Sequence, residues 1–574
     1  MRDLGIFGLV VLGLLDLYII EQNKFGVRLG MVYFCGMKRK ASLLATFLFF
    51  KYIVASTLNV PSSYTTIQLA LNAAISGDVV LVQPGTYNEN IVWPNVNGIK
   101  LISAGDSSNT IIDGNFLARV ISFNGGIPID TSTVIQGFKI TRGKDLQSLA
   151  AGGGIYCEGA SPKLFNLWII NNKVVSSDGS IGMGAGVCCE NYSSPHFKDV
   201  LVTGNLIDSV AEGEGGGIYC HLFSSPIMEN LVVQSNTIKA DGYSAEGGGI
   251  YFEDNCNPIL NNVKVKNNVL QGTINTTYFW GGGIYFANNC SPIINHSIIT
   301  GNQMIGTSLG FYEGGGIYAF INCNISLTNV LIASNILSGA GPNFHYGGGI
   351  MFDTNSGGSM TNVTITDNRT STNNTINGSG LWCDGGGNVT VKNSISWNNN
   401  TGAEVFLGTG SFTITFSDVR GGWTGVGNIN TNPVFVSTVN FHLQGTSPCL
   451  NTGTLPGSPN DDLDFLSRPM PLLSNPDMGA YELNQPLSIN PFLDNELYCT
   501  ISPNPSSGIF TIQAEEEIKG VEVYNVMGEK VYLTPSPSPK GEGSVVDLSA
   551  QPKGIYFYRV VTANGVGSGK VVVE

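Results

Sequence analysis

Gly215-Gly216-Gly217-Ile218-Tyr219-Cys220 begins the stretch that decides the fold, and Ser225-Pro226-Ile227-Met228-Glu229-Asn230-Leu231-Val232-Val233-Gln234-Ser235-Asn236 follows it closely. Related glycine phrases recur at intervals of 31 to 34 residues, and they start at Gly152, Gly184, Gly215, Gly247, Gly281, Gly314, Gly347 and Gly378. A fixed period of this size is typical of a solenoid, because no single repeat can bury its own apolar face. Each repeat is too short for two capped helices, so we expect stacked strands in a parallel β-helix.

Strand alternation predicts which side chains of the glycine phrase face the interior. One apolar column should point inward: Ile155, Val187, Ile218, Ile250, Ile284, Ile317, Ile350 and Leu381. The residues two positions later should also point inward: Cys157, Cys189, Cys220, Phe252, Phe286, Ala319, Phe352 and Cys383. We therefore interpret these thiols as small core side chains. Oxidation of neighbouring thiols to a disulfide is the alternative.

Two columns of asparagine bracket the strand of the second phrase. The first column is Asn166, Asn230, Asn262, Asn329 and Asn362, and the second is Asn172, Asn205, Asn236, Asn268, Asn302, Asn335 and Asn368. Asparagine tolerates the left-handed backbone conformation, so both columns are expected at the corners of the coil.

Composition favours strands and excludes one class of partner. The chain has 74 Gly among 574 residues and only 12% charged residues, which predicts almost no α-helix. Its net charge is −14, and phosphate backbones are bound mainly by cationic side chains, so nucleic acid is not expected as a partner. Isolated cations such as Lys198 and Lys264 are interpreted as solvated surface charges.

The first 56 residues contain a leader. Met37-Lys38-Arg39-Lys40 precedes an apolar segment that ends near Val54-Ala55-Ser56, and this order of basic, apolar and small residues is typical of a signal peptide. We therefore expect translation to start at Met37. A membrane anchor is the alternative, although the apolar stretch is short for a span, and none is expected in the mature chain.

The region after the leader resembles a known family. Val60 to Ala74, followed by Gly77-Asp78-Val79-Val80-Leu81-Val82-Gln83-Pro84-Gly85-Thr86-Tyr87, is similar to the start of pectin-lyase-like right-handed parallel β-helix proteins. The resemblance implies an all-β solenoid over residues 57–484, with a short helix from Thr66 to Ala74 that caps the coil. It extends to Pro476-Asp477-Met478-Gly479-Ala480-Tyr481-Glu482.

The last 76 residues resemble a second family. Ser502-Pro503-Asn504-Pro505, Val521-Glu522-Val523-Tyr524-Asn525 and Gly554-Ile555-Tyr556-Phe557 are similar to type IX secretion sorting domains of Bacteroidota. The resemblance implies a small antiparallel β-sandwich over residues 499–574, recognised by the type IX secretion machinery, behind a linker at residues 485–498. The protein should then be secreted or lie on the outer cell surface.

Residues that alternate with the inward column should point outward and form a candidate binding strip. They include Tyr156, Tyr219, Tyr251, Tyr285 and Tyr318, and Glu253 lies in the next outward column. Flat aromatic rings stack on sugar faces, and carboxylates accept hydrogen bonds from sugar hydroxyls. In the alternative interpretation, the tyrosines stack on one another beneath the variable loops and stabilise the rod.

Catalytic and metal-binding signals are weak. Glu158 and Glu190, one repeat apart, form the best pair for acid–base chemistry, while the paired-carboxylate and Gly-His-Gly motifs of hydrolases with this fold are absent. Acidic loop residues such as Glu212, Glu214 and Glu313 could bind Ca²⁺, but no EF-hand or RTX-type spacing is present. No other cofactor is expected.

These features predict a secreted, monomeric β-helix protein that binds or scaffolds an extracellular polysaccharide through the outward Tyr and Glu strip. A polysaccharide lyase or glycoside hydrolase is the first alternative. A structural adhesin that binds protein is the second. Fold alone does not choose among the three.

Overall fold

A computed structural model describes residues 55–483 and 499–574, apart from residues 177, 274, 277, 308–309, 340–343, 371–377, 400–401, 515, 534–542 and 563–565. The predicted leader cleavage, the start at Met37 and the linker at residues 485–498 fall largely or wholly outside the described residues.

Sheet B is built from the glycine phrases. It consists of Ile91–Val92, Ile121–Ile129, Ile155–Ala160, Val187–Glu190, Ile218–Cys220, Ile250–Glu253, Ile284–Ala287, Ile317–Phe320, Ile350–Asp353, Leu381–Cys383 and Val405–Leu407. Neighbouring strands are parallel and in register, as in the pairs Ile218 with Ile250 and Ile250 with Ile284. All eight residues of the predicted inward column are buried. The parallel β-helix is therefore confirmed.

Sheet A forms the two other walls of the coil. It consists of Thr57–Val60, Val79–Val82, Gly85–Asn88, Lys100–Ser103, Thr110–Asp113, Val134–Gln136, Lys139–Thr141, Lys163–Phe165, Trp168–Ile170, His196–Lys198, Leu201–Thr203, Ile227–Glu229, Val232–Gln234, Ile259–Asn261, Lys264–Lys266, Ile293–Thr300, Asn324–Ala333, Gly357–Thr366, Gly387–Lys392, Ile395–Trp397, Gly410–Thr415 and Asp418–Val419. Corner residues such as Asn166 and Asn230 have φ near 52° and bend the chain between the two walls. The left-handed conformation predicted for the first asparagine column is confirmed.

Sheet C is a lobe formed by the segments between the coil and the next glycine phrase. It consists of Lys144–Asp145, Leu149–Ala151, Lys173–Val174, Ile181–Met183, Leu206–Glu214, Thr237–Glu246, Val269–Gly272, Tyr278–Trp280, Gln303–Gly306, Phe311–Glu313, Ile336–Gly339, Phe344–Tyr346 and Arg369–Thr370. The lobe has its own apolar core, which includes Ile207, Ile238, Leu270, Phe279 and Tyr312.

A glycine with positive φ connects sheet C to sheet B in each repeat. Gly215 has φ of +63°, and a Cβ atom at this position would lie 2.3 Å from the carbonyl oxygen of Ile218. The next glycine is also confined, because a Cβ atom on Gly216 would lie 2.4 Å from the carbonyl oxygen of Gly248. The glycine phrase thus allows the chain to turn sharply while adjacent repeats stay in close contact.

The second asparagine column also lies at corners, between strands of sheets A and C, but its residues are not the left-handed ones, and that part of the prediction is wrong. Asn268 is fully buried, its side-chain amide donates to Oδ1 of Asn302 at 3.0 Å, and its own Oδ1 accepts from Asn236 at 3.0 Å. The same contact repeats from Asn172 to Asn399, where Glu404 accepts from the last amide at 2.7 Å. In each repeat the left-handed residue is the one before the buried asparagine, such as Asn267. The buried asparagines instead form a ladder in which the amides satisfy one another's hydrogen bonds.

The inward cysteines are packed as predicted. Cys157 lies beside Cys189, and Cys189 beside Cys220, in the register of neighbouring strands. All three are buried, and none forms a disulfide. These side chains therefore act as small core groups in the interior of the coil.

One helix, Ile67–Ala73, lies near the start of the coil. Thr66 caps it by accepting a hydrogen bond from the backbone N–H of Leu69, and Ile67, Ala70 and Leu71 are buried. Its predicted role as a cap over the coil stays a prediction. Within the described part of the chain, no helix is both long and apolar enough to cross a membrane.

Residues 430–483 fold back on the outer side of sheet A. The Asp461 side chain contacts His296 at 3.1 Å, the backbone carbonyl of Asp461 accepts from the side-chain amide of Asn329 at 2.9 Å, and Leu331 packs with Tyr481. This segment covers the later repeats of that face.

The C-terminal region is a small antiparallel sandwich. One sheet contains Cys499–Ser502, Ile509–Ala514 and Ser544–Asp547, and the other contains Gly520–Tyr524, Lys530–Leu533, Gly554–Val561 and Val566–Val573. The two sheets share one core, which includes Phe510, Val523, Val546 and Tyr558. The predicted all-β sandwich is confirmed.

Candidate functional site

The five predicted binding tyrosines point away from the coil but do not reach open solvent. Tyr219, Tyr285 and Tyr318 are each 2% exposed, Tyr251 is 3% and Tyr156 is 9%. We call these five residues the tyrosine row. Three of the rings stack between repeats, with centroids 4.5 Å apart for Tyr251 and Tyr285 and 5.1 Å apart for Tyr285 and Tyr318.

The lobe formed by sheet C covers the tyrosine row. The row belongs to a cluster that includes Ala151 and Met183 from sheet C, with Trp280 and Tyr346 packed against it. The expectation of an open sugar-stacking strip is thus corrected, because ring faces packed between two sheets cannot meet a sugar. The alternative, stacking of the tyrosines beneath the loops, is confirmed.

Three hydroxyl groups of the tyrosine row, those of Tyr156, Tyr219 and Tyr318, donate to carboxylates of the next repeat. Tyr219 donates to Glu253 at 2.8 Å, and Tyr318 donates to Asp353 at 3.3 Å. Satisfying a buried hydroxyl in this way avoids the cost of an unpaired polar group. One role of this acidic column is therefore to satisfy the covered tyrosines.

Several carboxyl groups between the lobe and sheet B have raised pKa values. Burial, together with repulsion from Glu253 and Glu212, raises the pKa of Glu246 to about 8. Burial and the nearby Asp353 raise the pKa of Glu313 to about 7. These groups are desolvated, so each favours its neutral form.

The outer ledge, which we define as Glu158, Glu190, His221 and Glu253, borders the tyrosine row on the solvent side. All four side chains are half-buried, and Glu158 and Glu190 are paired across neighbouring strands. Glu190 accepts from the Tyr156 hydroxyl at 2.5 Å, and His221 contacts Asp254 at 3.2 Å. The structure thus brings Glu158, Glu190 and Glu253 together on one edge.

Two exposed aromatic rings lie beside this ledge. Tyr192 is 68% exposed and Phe223 is 44% exposed, and their rings are stacked with centroids 5.1 Å apart and planes 5° from parallel. We call these two residues the edge pair. They follow Glu190 and His221 by two residues and occupy a corner with positive φ, 62° at Tyr192 and 59° at Phe223.

The edge pair was missed from the sequence, although a signal was present. Later repeats carry asparagine at the same offset, namely Asn255, Asn289, Asn322 and Asn355, and each has positive φ. Asparagine is the common solution for such a corner, whereas an aromatic residue there is an outlier. The two aromatic residues in a column of asparagines are therefore the sequence signal for the edge pair.

Among the described residues, no group of three or more acidic, histidine or cysteine side chains is placed to bind a metal ion. Neighbouring carboxylates of the outer ledge are instead engaged with tyrosine hydroxyls, as for Glu190 and Glu253.

Comparison with known proteins identifies the C-terminal region. Residues 500–574 match the family described as the secretion system C-terminal sorting domain. No curated protein matches the chain. Among solved structures, one titled "Crystal structure of pectate lyase Pel9A" is similar over 75% of this chain and 97% of its own, with 14% identity and a TM-score of 0.31.

The sorting domain determines where the protein goes. A chain that ends in this domain is directed to the type IX secretion machinery, so the protein is secreted or lies on the outer cell surface. This confirms the localisation predicted from the sequence.

Proposed function

We propose that the exported protein binds an extracellular polysaccharide at the edge pair and the outer ledge. The observation that carries the proposal is the exposed, parallel pair of rings at Tyr192 and Phe223. Exposed aromatic rings offer an apolar surface against which sugar rings pack.

The backbone supports this assignment. A bulky residue in the left-handed region costs about 1–2 kcal/mol, and asparagine at the same offset lowers that cost. At this offset the left-handed conformation is taken by bulky residues at Tyr192 and Phe223, whereas Asn255 makes the same corner in the next repeat, so the fold does not need an aromatic ring there. Strain that packing does not require favours a role in recognition.

The outer ledge supplies polar partners beside the rings. Glu158, Glu190 and Glu253 provide carboxylate oxygens that accept hydrogen bonds, and His221 adds a ring nitrogen held near Asp254. A polysaccharide that lies along the repeats would meet rings on one side and these groups on the other. The tyrosine row holds the ledge in place from below.

A double substitution tests the proposal without adding strain. Tyr192→Asn with Phe223→Asn removes both rings and installs the residue that later repeats use at this offset. Wild-type protein and the variant are applied to an array of bacterial and plant polysaccharides, and the affinity for the best-bound glycan is then measured by calorimetry. We expect the variant to lose affinity by about tenfold or more, since two stacking contacts disappear.

Phe116→Asn is a matched control. Phe116 is also 44% exposed with positive φ, at 56°, but lies outside the candidate site. The control should bind as the wild type does. The proposal fails if the double variant retains wild-type affinity, or if wild-type protein binds no glycan on the array.

A further inference from the structure

A second surface of the coil has a different chemistry. Strand register brings lysines from several repeats to the outward side of the two walls of sheet A, where Lys139 is paired with Trp168 on one wall, and Lys163 with His196 on the adjoining wall. The lysines at outward positions between residues 134 and 266 are Lys139, Lys163, Lys198, Lys264 and Lys266. We call these five lysines together with Trp168 the lysine face. Two of them, Lys198 and Lys264, appear isolated along the sequence.

The charge of this face is opposite to that of the whole protein. The outward strand positions of sheet A between residues 134 and 266 include a single carboxylate, Glu229, which lies 3.4 Å from Lys198 and 3.3 Å from His196, and a second one, Asp199, lies at the corner after Lys198. The chain as a whole has 42 acidic against 28 basic residues. Such a concentration of cations in an acidic protein creates a local field that attracts anions.

Aromatic rings lie among the lysines. Trp168 is 37% exposed, and Nζ of Lys139 lies 5.4 Å from its ring centroid. Nζ of Lys163 lies 6.0 Å from the ring centroid of Phe165, which lies 5.2 Å from the ring centroid of His196, with the two rings perpendicular. The cation–π contacts hold the ammonium groups near the rings, so a ligand would meet charge and an apolar ring together.

The lysine face ends where the fold begins to cover sheet A. Asp461 and Phe465 contact His296, one repeat beyond Lys264, and the segment 430–483 occupies the repeats that follow. The side chains of Lys198, Lys264 and Trp168 are exposed. The cationic repeats thus lie just before the repeats that residues 430–483 cover.

We propose that the lysine face binds an acidic polysaccharide whose carboxylate or sulfate groups contact the lysines while a sugar ring packs on Trp168. The lysines provide charge-assisted hydrogen bonds to these anionic groups. The exposed tryptophan provides the stacking surface that distinguishes a sugar chain from a plain anion. This site lies on a different sheet from the edge pair and does not depend on it.

Dextran sulfate and dextran form a matched pair of probes, because they share one backbone and differ in charge. The purified protein should bind dextran sulfate, and also alginate, but not dextran. Lys139→Ala with Lys163→Ala should weaken dextran sulfate binding by about tenfold, since charge-assisted contacts are lost, and should lessen its dependence on salt. Lys239→Ala with Lys553→Ala is the control, because both lysines are exposed, lie off this face and change the net charge equally.

Trp168→Ala separates sugar recognition from general attraction of anions. We expect it to weaken dextran sulfate binding while leaving any binding of duplex DNA or anionic phospholipid vesicles unchanged. The proposal is overturned if both lysine variants lose affinity equally, if dextran binds as tightly as dextran sulfate, or if DNA or vesicles bind more tightly than both acidic polysaccharides. Tyr192→Asn with Phe223→Asn should retain dextran sulfate binding, which keeps this test independent of the edge pair.

Discussion

The tyrosine row and the edge pair are both aromatic columns on the outer side of sheet B, yet their surroundings are opposite. Tyr285 is 2% exposed and stacks on Tyr318 at 5.1 Å beneath the lobe. Tyr192 is 68% exposed and stacks on Phe223 at the same distance of 5.1 Å. Rings stacked between repeats therefore indicate either a core or a binding surface, and burial decides which.

The difference has a physical origin in the residues that face each column. The tyrosine row faces Met183, Trp280 and other apolar side chains of sheet C, so both surfaces are removed from water. The edge pair lies at a corner of the coil that later repeats build with asparagine. Packing requires the first column and does not require the second.

The largest loss of stability is expected from a substitution where the tyrosine row is most enclosed. Tyr285→Ala removes a buried ring that stacks on both Tyr251 and Tyr318. The free energy of unfolding should fall by about 3–5 kcal/mol, as for other large aromatic residues in cores. Urea unfolding followed by circular dichroism measures this loss. A loss below about 0.5 kcal/mol, usual for surface sites, would mean that the row is not covered.

The free energy of unfolding is expected to depend on pH through a carboxyl group buried between the lobe and sheet B. Because the pKa of Glu246 is raised from its ordinary value of 4.5 to about 8, folding favours the protonated group. Its contribution to stability is present below pH 4.5 and is lost as pH rises towards 8. Glu246→Gln should therefore raise the free energy of unfolding at pH 8 by about 1–3 kcal/mol and change it little at pH 4.5. Thermal unfolding at the two pH values tests this, and an equal effect at both would contradict the assignment.

A smaller loss of stability is expected when one hydroxyl group of the tyrosine row is removed. Tyr219→Phe removes the hydrogen bond to Glu253 and keeps the ring. The free energy of unfolding should fall by about 1 kcal/mol, the usual net value of such a bond. Chemical denaturation would detect it. No loss, or a gain, would indicate that Glu253 is not held by this hydroxyl.

The smallest effect on stability is expected at the edge pair. Tyr192→Asn exchanges an exposed ring with positive φ for a residue suited to that conformation. The free energy of unfolding should change by less than about 0.5 kcal/mol, or increase slightly, as is usual at surface sites. Side-by-side unfolding with Tyr285→Ala gives the contrast directly. Comparable losses in the two variants would show that both columns belong to the core.

The coil could be predicted because its signal is local and repeated. Alternation within the glycine phrase fixes the inward side of Ile218, Ile250 and Ile284, and the period fixes which residues stack. Each strand needs only its neighbours to bury this column. The sorting domain was predictable for another reason, since its motifs at Ser502 and Gly554 are specific to that family.

The lobe could not be predicted as readily, although a column of apolar residues hints at it. Val174, Ile207, Ile238, Leu270, Met304 and Leu337 each follow a buried asparagine by two residues, and all are buried in the lobe. The returning strands differ in length and loop between repeats, so sequence alone does not show that they pack back over sheet B. The prediction of an open tyrosine strip was wrong for this reason, because a side chain that points out of the coil is still buried when sheet C packs over it.

Hydroxyl-radical footprinting read by mass spectrometry, with and without the best-bound polysaccharide, distinguishes the edge pair from the tyrosine row as the binding surface. We expect Tyr192 and Phe223 to be oxidised rapidly in the free protein and protected by the glycan, while Tyr219, Tyr251 and Tyr285 stay unmodified in both states. Rapid oxidation of those three tyrosines, with protection by the glycan, would contradict the account and restore the tyrosine row as the binding surface.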